Sequence, residues 1–190
     1  MGYKVIIYGG IGSGKSTVIS ILSALGANVF LADEYNARLL QDKEYIAEIG
    51  KQFPRCIVDG QIDRNILAEI IYSDEFARQK VMSIAHPLIY KRINNDVKDL
   101  PLAFIEIPIY PIIGIEYQEF WHITADEDIR IDRVNKRSGY SKEKILSIIR
   151  LQQLTLREEN LVEVENNGDL LCLEKKIRKH YSDLLSRLSQ

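Results

Sequence analysis

The stretch Gly9-Gly10-Ile11-Gly12-Ser13-Gly14-Lys15-Ser16-Thr17 limits what this chain can fold into more than any other. It satisfies G-x-x-x-x-G-K-[ST] between an apolar run, Val5 to Tyr8, and a helical pattern of Val18, Ile19, Ile21, Leu22 and Leu25. Strand, loop and helix follow in the order a phosphate-binding loop requires. Glycines let the backbone curl so that successive N–H groups face one anion. The helix that starts there adds unpaired N–H donors and the positive end of its dipole. Lys15 supplies a point charge for the terminal phosphates, and Ser16 a hydroxyl for Mg²⁺. Gly9, Gly10, Gly12, Ser13, Gly14, Lys15, Ser16 and Thr17 are therefore expected to hold a nucleoside triphosphate.

Downstream, Gly26 stops the first helix and residues 28–32 form a short strand that completes a βαβ unit. That strand delivers Asp33 to the sheet edge from which the phosphate loop also departs. Asp33 is thus the first carboxylate expected near a γ-phosphate, and it doubles as the cap of a helix over 34–40. Residues 34–99 read as mostly helical, with a helix over 42–49 ending at Gly50 and an extended piece at Ile57-Val58. Asp63 caps the next helix, Ser73 caps one over 74–85, and Pro87 opens another. The block is too long for one crossover helix. It reads as an insert over the sheet edge that holds an acceptor, with Arg64 and His86 as its candidate contacts. A surface arginine and a helix-junction histidine explain them equally well.

Strands over 102–107 and 119–124 follow, then Asp126 as a cap and a helix over 127–137. Arg130, Arg133 and Arg137 share one face of it. Arg130 reads as a solvated residue paired with Asp126, Asp128 and Asp132. Ser138-Gly139-Tyr140 turns the chain into a second helix, and two helices around a basic elbow suit a phosphate-closing lid. A last strand over 161–165, a turn at Asn166-Asn167-Gly168 and a helix capped by Asp169 complete the chain. The pattern predicts one α/β domain over 1–190, a doubly wound five-stranded parallel sheet of the P-loop kinase type. Its core is 1–33, 100–126 and 160–190, its helical substrate-binding insert 34–99, and its arginine-bearing lid 127–155. A net charge of −2 offers no basic field for nucleic acid, and no apolar run is long enough for a membrane. Cys56 and Cys172 are isolated, as expected of free thiols in a reducing cytoplasm. A monomer is expected.

These segments together resemble the dephospho-coenzyme A kinase family. GGIGSGKSTV and LGANVFLADEYNARLL are similar to its phosphate loop, LGA and D-A-D segments. GQIDRNIL, SDEFARQKVMSIAHPLI, IDRVNKRSGYS and VENNGDL resemble its remaining motifs in the same order. The resemblance implies ATP-dependent phosphorylation of the ribose 3′-hydroxyl of dephospho-coenzyme A, with ATP and Mg²⁺ as cofactors. It implies Asp33 as base, Lys15 and Arg137 on the transferring phosphate, and Arg133 on the nucleotide. It places Arg64 and His86 near the acceptor, and Asn166 and Gly168 near adenine. The chain departs from the family where Leu31 replaces the first Asp of D-A-D and Tyr8 a Thr. It departs again where Pro108-Ile109-Tyr110-Pro111-Ile112 lacks a Glu for which Glu116 is the nearest substitute, and where 153–165 is short. A kinase for another nucleoside or sugar-type acceptor, and a nucleotide-binding regulator without turnover, are the alternative readings.

Overall fold

A computed structural model describes residues 2–108, 110, 112–152, 156 and 158–189. In chain order the elements are β1 (Tyr3–Tyr8), α1 (Lys15–Ala24), β2 (Val29–Leu31), α2 (Ala32–Leu39) and α3 (Lys43–Gln52). Then come β3 (Ile57–Val58), β4 (Gln61–Ile62), α4 (Arg64–Ser73), α5 (Glu75–Val97) and β5 (Leu102–Glu106). β6 (Glu119–Thr124), α6 (Glu127–Ser138), α7 (Lys142–Leu151), β7 (Leu161–Glu165) and α8 (Leu170–Leu188) complete the chain.

Five strands form the expected parallel sheet in the order β2-β5-β1-β6-β7. β1 is central, with Ile7 opposite Glu106 on one side and Tyr8 opposite His122 on the other. Val5, Ile6 and Ile7 have no exposed surface, as expected of a parallel strand covered on both faces. On one face Val5, Ile7, Phe104, Trp121 and Ile123 pack with Val18 and Leu22 of α1 and Leu173, Ile177 and Leu184 of α8. The chain leaves β1 toward β2 and leaves β6 toward β7, in opposite directions across the sheet. The crevice beyond the carboxyl ends of β1 and β6 is therefore the switch point where such sheets bind ligands.

The chain divides into two compact units, one of Met1–Phe30, Leu100–Ile112 and Glu116–Gln190, the other of Leu31–Asp99 and Ile113–Ile115. In the second, the Tyr35 hydroxyl of α2 donates to Asp96 Oδ2 of α5 at 2.6 Å, and Arg92 of α5 pairs with Asp42 at the start of α3. β3 and β4 pair antiparallel around Asp59 and Gly60, both at positive φ, as a two-residue hairpin turn demands.

Several local readings change. α5 runs unbroken through Pro87. Ala77, Val81, Ala85, Ile89, Ile93 and Val97 form one buried stripe at four-residue spacing, and the exposed Pro87 lies off it. Packing along that stripe outweighs a local proline cost of about 3 kcal/mol. α3 passes Gly50 and ends at Gln52; Gly50 serves close packing rather than a stop, since a Cβ there would stand 3.2 Å from Ile57 Cγ1. Ser73 does not cap α5: its hydroxyl turns back to Glu69 O and Ile70 O, and Asp74 accepts from Phe76 N and Ala77 N. Asp126 makes no side-chain cap; its N–H donates instead to Asn167 Oδ1 at 2.8 Å. Asp33 is no cap either, since α2 already begins at Ala32. Asp63 and Asp169 cap α4 and α8 as expected. Among the described residues no helix is long and apolar enough to cross a membrane.

Candidate active site

The loop after β1 is held from three sides within the first unit. From below, Gly9 is buried against β6, where a Cβ would stand 2.5 Å from Ile123 O. From the β7 side, Asn166 reaches in and donates from Nδ2 to Ser13 O at 2.8 Å. Gly14 lies on that path: its φ is +98° and a Cβ would come 2.1 Å from Asn166 Nδ2, so only glycine fits. From the third side come α6 and α7. Arg130 Nε donates to Ile11 O at 2.8 Å, Arg133 makes long contacts to Gly12 O and Asn166 Oδ1, and Gln152 Oε1 accepts from Ile11 N at 2.7 Å. The Ile11 side chain packs into the small core of Val134, Ile145 and Ile149 that joins the two helices.

Lys15, at the first position of α1, bends back to donate to Gly9 O at 2.6 Å and lies 4.0 Å from Glu106 Oε1. Glu106 ends β5 and is nearly buried, at the sheet's carboxyl edge. Ser16 is exposed at the start of α1. The Ser13 hydroxyl is buried with no partner among the described residues. Beneath the loop, Tyr8 stacks obliquely on His122, whose Nδ1 is 3.9 Å from Glu163. Burial pushes the Tyr8 phenol up, the nearby Arg130 partly opposing it. Burial pushes the His122 imidazole down, Glu163 opposing and Arg130 reinforcing the shift. Arg130 itself is held below its usual range, chiefly by burial.

The other candidates are divided between the two units. Asp33, in the second unit, is exposed in the first turn of α2, immediately beyond the end of β2. Arg64, in the same unit, is exposed at the first position of α4. His86 is half-buried beside Tyr90 in α5, and burial lowers its pKa. Arg137, in the first unit, is exposed in the last turn of α6, and Gly139 ends that helix in the left-handed conformation.

Sequence reasoning overlooked three residues. Arg130 is no solvated member of an acidic face: it is half-buried, bonded to the phosphate loop, and in ion-pair contact with none of Asp126, Asp128 and Asp132. The spacing that put it on one face with Arg133 carried the signal; the neighbouring carboxylates obscured it. Glu106 is legible as the one charge in Leu102–Ile107, delivered at the carboxyl end of its strand. The family pattern directs attention past Pro108 instead, where Glu116 is exposed. Gln152 follows α7 at a separation of 141 residues from Ile11, and no local pattern marks it.

A parallel sheet with a phosphate loop at its switch point, a lysine beside an edge carboxylate and a basic helix against the loop defines a P-loop kinase. The family model for dephospho-CoA kinase matches residues 3–170, and the chain belongs to that family. It is 31% identical to a dephospho-CoA kinase of Thermus thermophilus over 94% of this chain and 90% of that protein. It is 34% identical to the dephospho-CoA kinase of Dehalococcoides mccartyi over 77% of this chain and 78% of that protein. A crystal structure from Thermus thermophilus superposes with a TM-score of 0.76 at 31% identity, covering 96% of this chain and 98% of that one.

Proposed function

We propose that this enzyme transfers the γ-phosphoryl group of ATP to the ribose 3′-hydroxyl of dephospho-CoA, giving CoA. The observation that carries this reading is Lys15 held between Gly9 O and Glu106, in a chain matched from residue 3 to 170 by the dephospho-CoA kinase model. A loose phosphoryl-transfer transition state spreads charge over the non-bridging oxygens, so catalysis is mainly positioning and charge stabilisation. The N–H groups of Gly12, Gly14, Lys15 and Ser16 cradle the phosphates, while those of Ile11, Ser13 and Thr17 are bonded to Gln152 Oε1, Gly10 O and Gly14 O. Lys15 leaves the Gly9 carbonyl to meet the transferring group, and Glu106 keeps its ammonium aimed. Asp33 accepts the proton of the 3′-hydroxyl as the oxygen bonds to phosphorus and ADP departs. Arg133 and Arg137 take further phosphate charge, while Arg64 and His86 hold the acceptor. Asn166 and Gly168 flank the adenine. A cavity of about 410 Å³ lined by Ser16, Thr17, Ser20, Leu170, Glu174 and Arg178 gives the nucleoside end room beside α1.

Mg²⁺ suits the oxygen donors present. The exposed Ser16 hydroxyl and the Glu106 carboxylate are hard ligands, and such ions are held by one or two protein oxygens with phosphates and water. Bound there, the ion would neutralise charge on the β- and γ-phosphates. The residues at 34–99 form the acceptor-binding insert and those at 127–155 the lid, in a monomer.

Purified protein with Mg²⁺-ATP and dephospho-CoA, followed by product mass, tests the reading. CoA should form in preference to products from AMP or adenosine, and Lys15→Ala should lower kcat by at least about a hundredfold. Comparable kcat/KM on AMP would assign a different acceptor, and near-normal turnover by Lys15→Ala would refute the phosphate-loop chemistry.

A further inference from the structure

Arg130 spends one of its three nitrogens on the protein. Nε donates to Ile11 O, and among the described residues neither Nη1 nor Nη2 has a protein acceptor. The side chain is half-buried, yet no carboxylate lies within ion-pair distance of it among the described residues. Glu127 acts on it only from beyond ion-pair distance, and a cation half withdrawn from water with no carboxylate in contact is costly unless a ligand supplies a counter-charge. The free end also has a direction. A Cβ on Gly10 would stand 2.4 Å from Nη2, so the Nη2 end of the guanidinium lies against the loop at Gly10. The motif itself needs glycine only at Gly9 and Gly14, so the passage of Arg130 gives Gly10 a separate reason to lack a side chain. Ile11 is gripped at N–H by Gln152 and at C=O by Arg130, which fixes where the fork stands.

We propose that Arg130 is a catalytic residue whose Nη1 and Nη2 bind the phosphate chain of ATP while its Nε holds the phosphate loop through Ile11. An arginine is suited to both tasks at once, because its planar fork presents donors on two edges. The inference rests on the kinase reading only for the identity of the anion.

Arg130→Gln separates the two tasks. A glutamine amide can still donate to Ile11 O but carries no charge. By calorimetry, the variant should lose about tenfold or more in ATP affinity, as expected for charge-assisted hydrogen bonds, with little change for AMP. kcat with dephospho-CoA should fall further. ATP affinity within about twofold of wild type would overturn the proposal, as would equal losses for ATP, ADP and AMP, which mark a collapsed loop. If Arg130→Gln does not fold, arginine modification by phenylglyoxal on the wild-type protein decides. ATP should shield Arg130 and adenosine should not; failure of ATP to shield it would overturn the assignment. A wild type that binds ATP and leaves dephospho-CoA unphosphorylated would sink the acceptor reading and leave this one standing.

Discussion

Asp33 occupies the second position of α2, exposed, with its charge at the positive end of the helix dipole. Little of the fold depends on its carboxylate, so its replacement tests chemistry with small structural side effects. Asp33→Asn keeps the shape and removes the proposed base. We expect kcat to fall by at least about a hundredfold, with melting temperature and ATP affinity near wild type. Single-turnover transfer beside calorimetric ATP binding checks it, and unchanged transfer would remove Asp33 from the base role. Leu31 is the N-cap residue of α2 and makes no side-chain cap, so the Leu found there leaves the first turn without the acceptor an Asp would supply.

Among the elements, α4 and α5 show how a one-residue shift in a cap reverses a reading. Ser73 and Asp74 are adjacent polar residues, and either one suits an N-cap by type. Ser73 is the last residue of α4, where the nearest unpaired groups are carbonyls, so its hydroxyl donates to Glu69 O and Ile70 O. Asp74 is extended and faces the free N–H groups of Phe76 and Ala77. Asp74→Ala should cost about 1 kcal/mol in urea unfolding and Ser73→Ala only a few tenths. Equal losses would mean that the boundary between the helices lies elsewhere. The pair α6 and α7 illustrates the opposite case. Periodicity located both helices and the Gly139 stop, but their joint hold on Ile11 comes from side chains 119 and 141 residues away in sequence.

At the scale of the molecule, stability near neutral pH should follow two half-buried histidines. Burial lowers the pKa of His86, which faces Tyr90, and of His122, which faces Tyr8, Glu163 and Arg130. The folded imidazoles therefore bind fewer protons than the unfolded ones just below the ordinary histidine value of 6.5. Stability falls as pH drops through that window and levels off beneath the folded pKa values. Asp42, held low by the Tyr45 N–H, and Asp169, held low by the Cys172 N–H, lose their contributions only at more acid pH, through the carboxylate range. Melting temperature should thus drop by about 2–4 °C per kcal/mol lost between pH 7 and 5. His122→Gln should flatten that slope; an unchanged slope would exclude His122 as a source. The sequence alone determined the phosphate-loop motif, the parallel sheet and the family, because each follows from local spacing or from strand direction. Only the tertiary structure decided that α5 continues through Pro87, that Glu106 accompanies Lys15 and that Arg130 serves the loop rather than solvent. In each of these cases the deciding partner is distant in the chain, and its packing or charge outweighs the preference of the local residues.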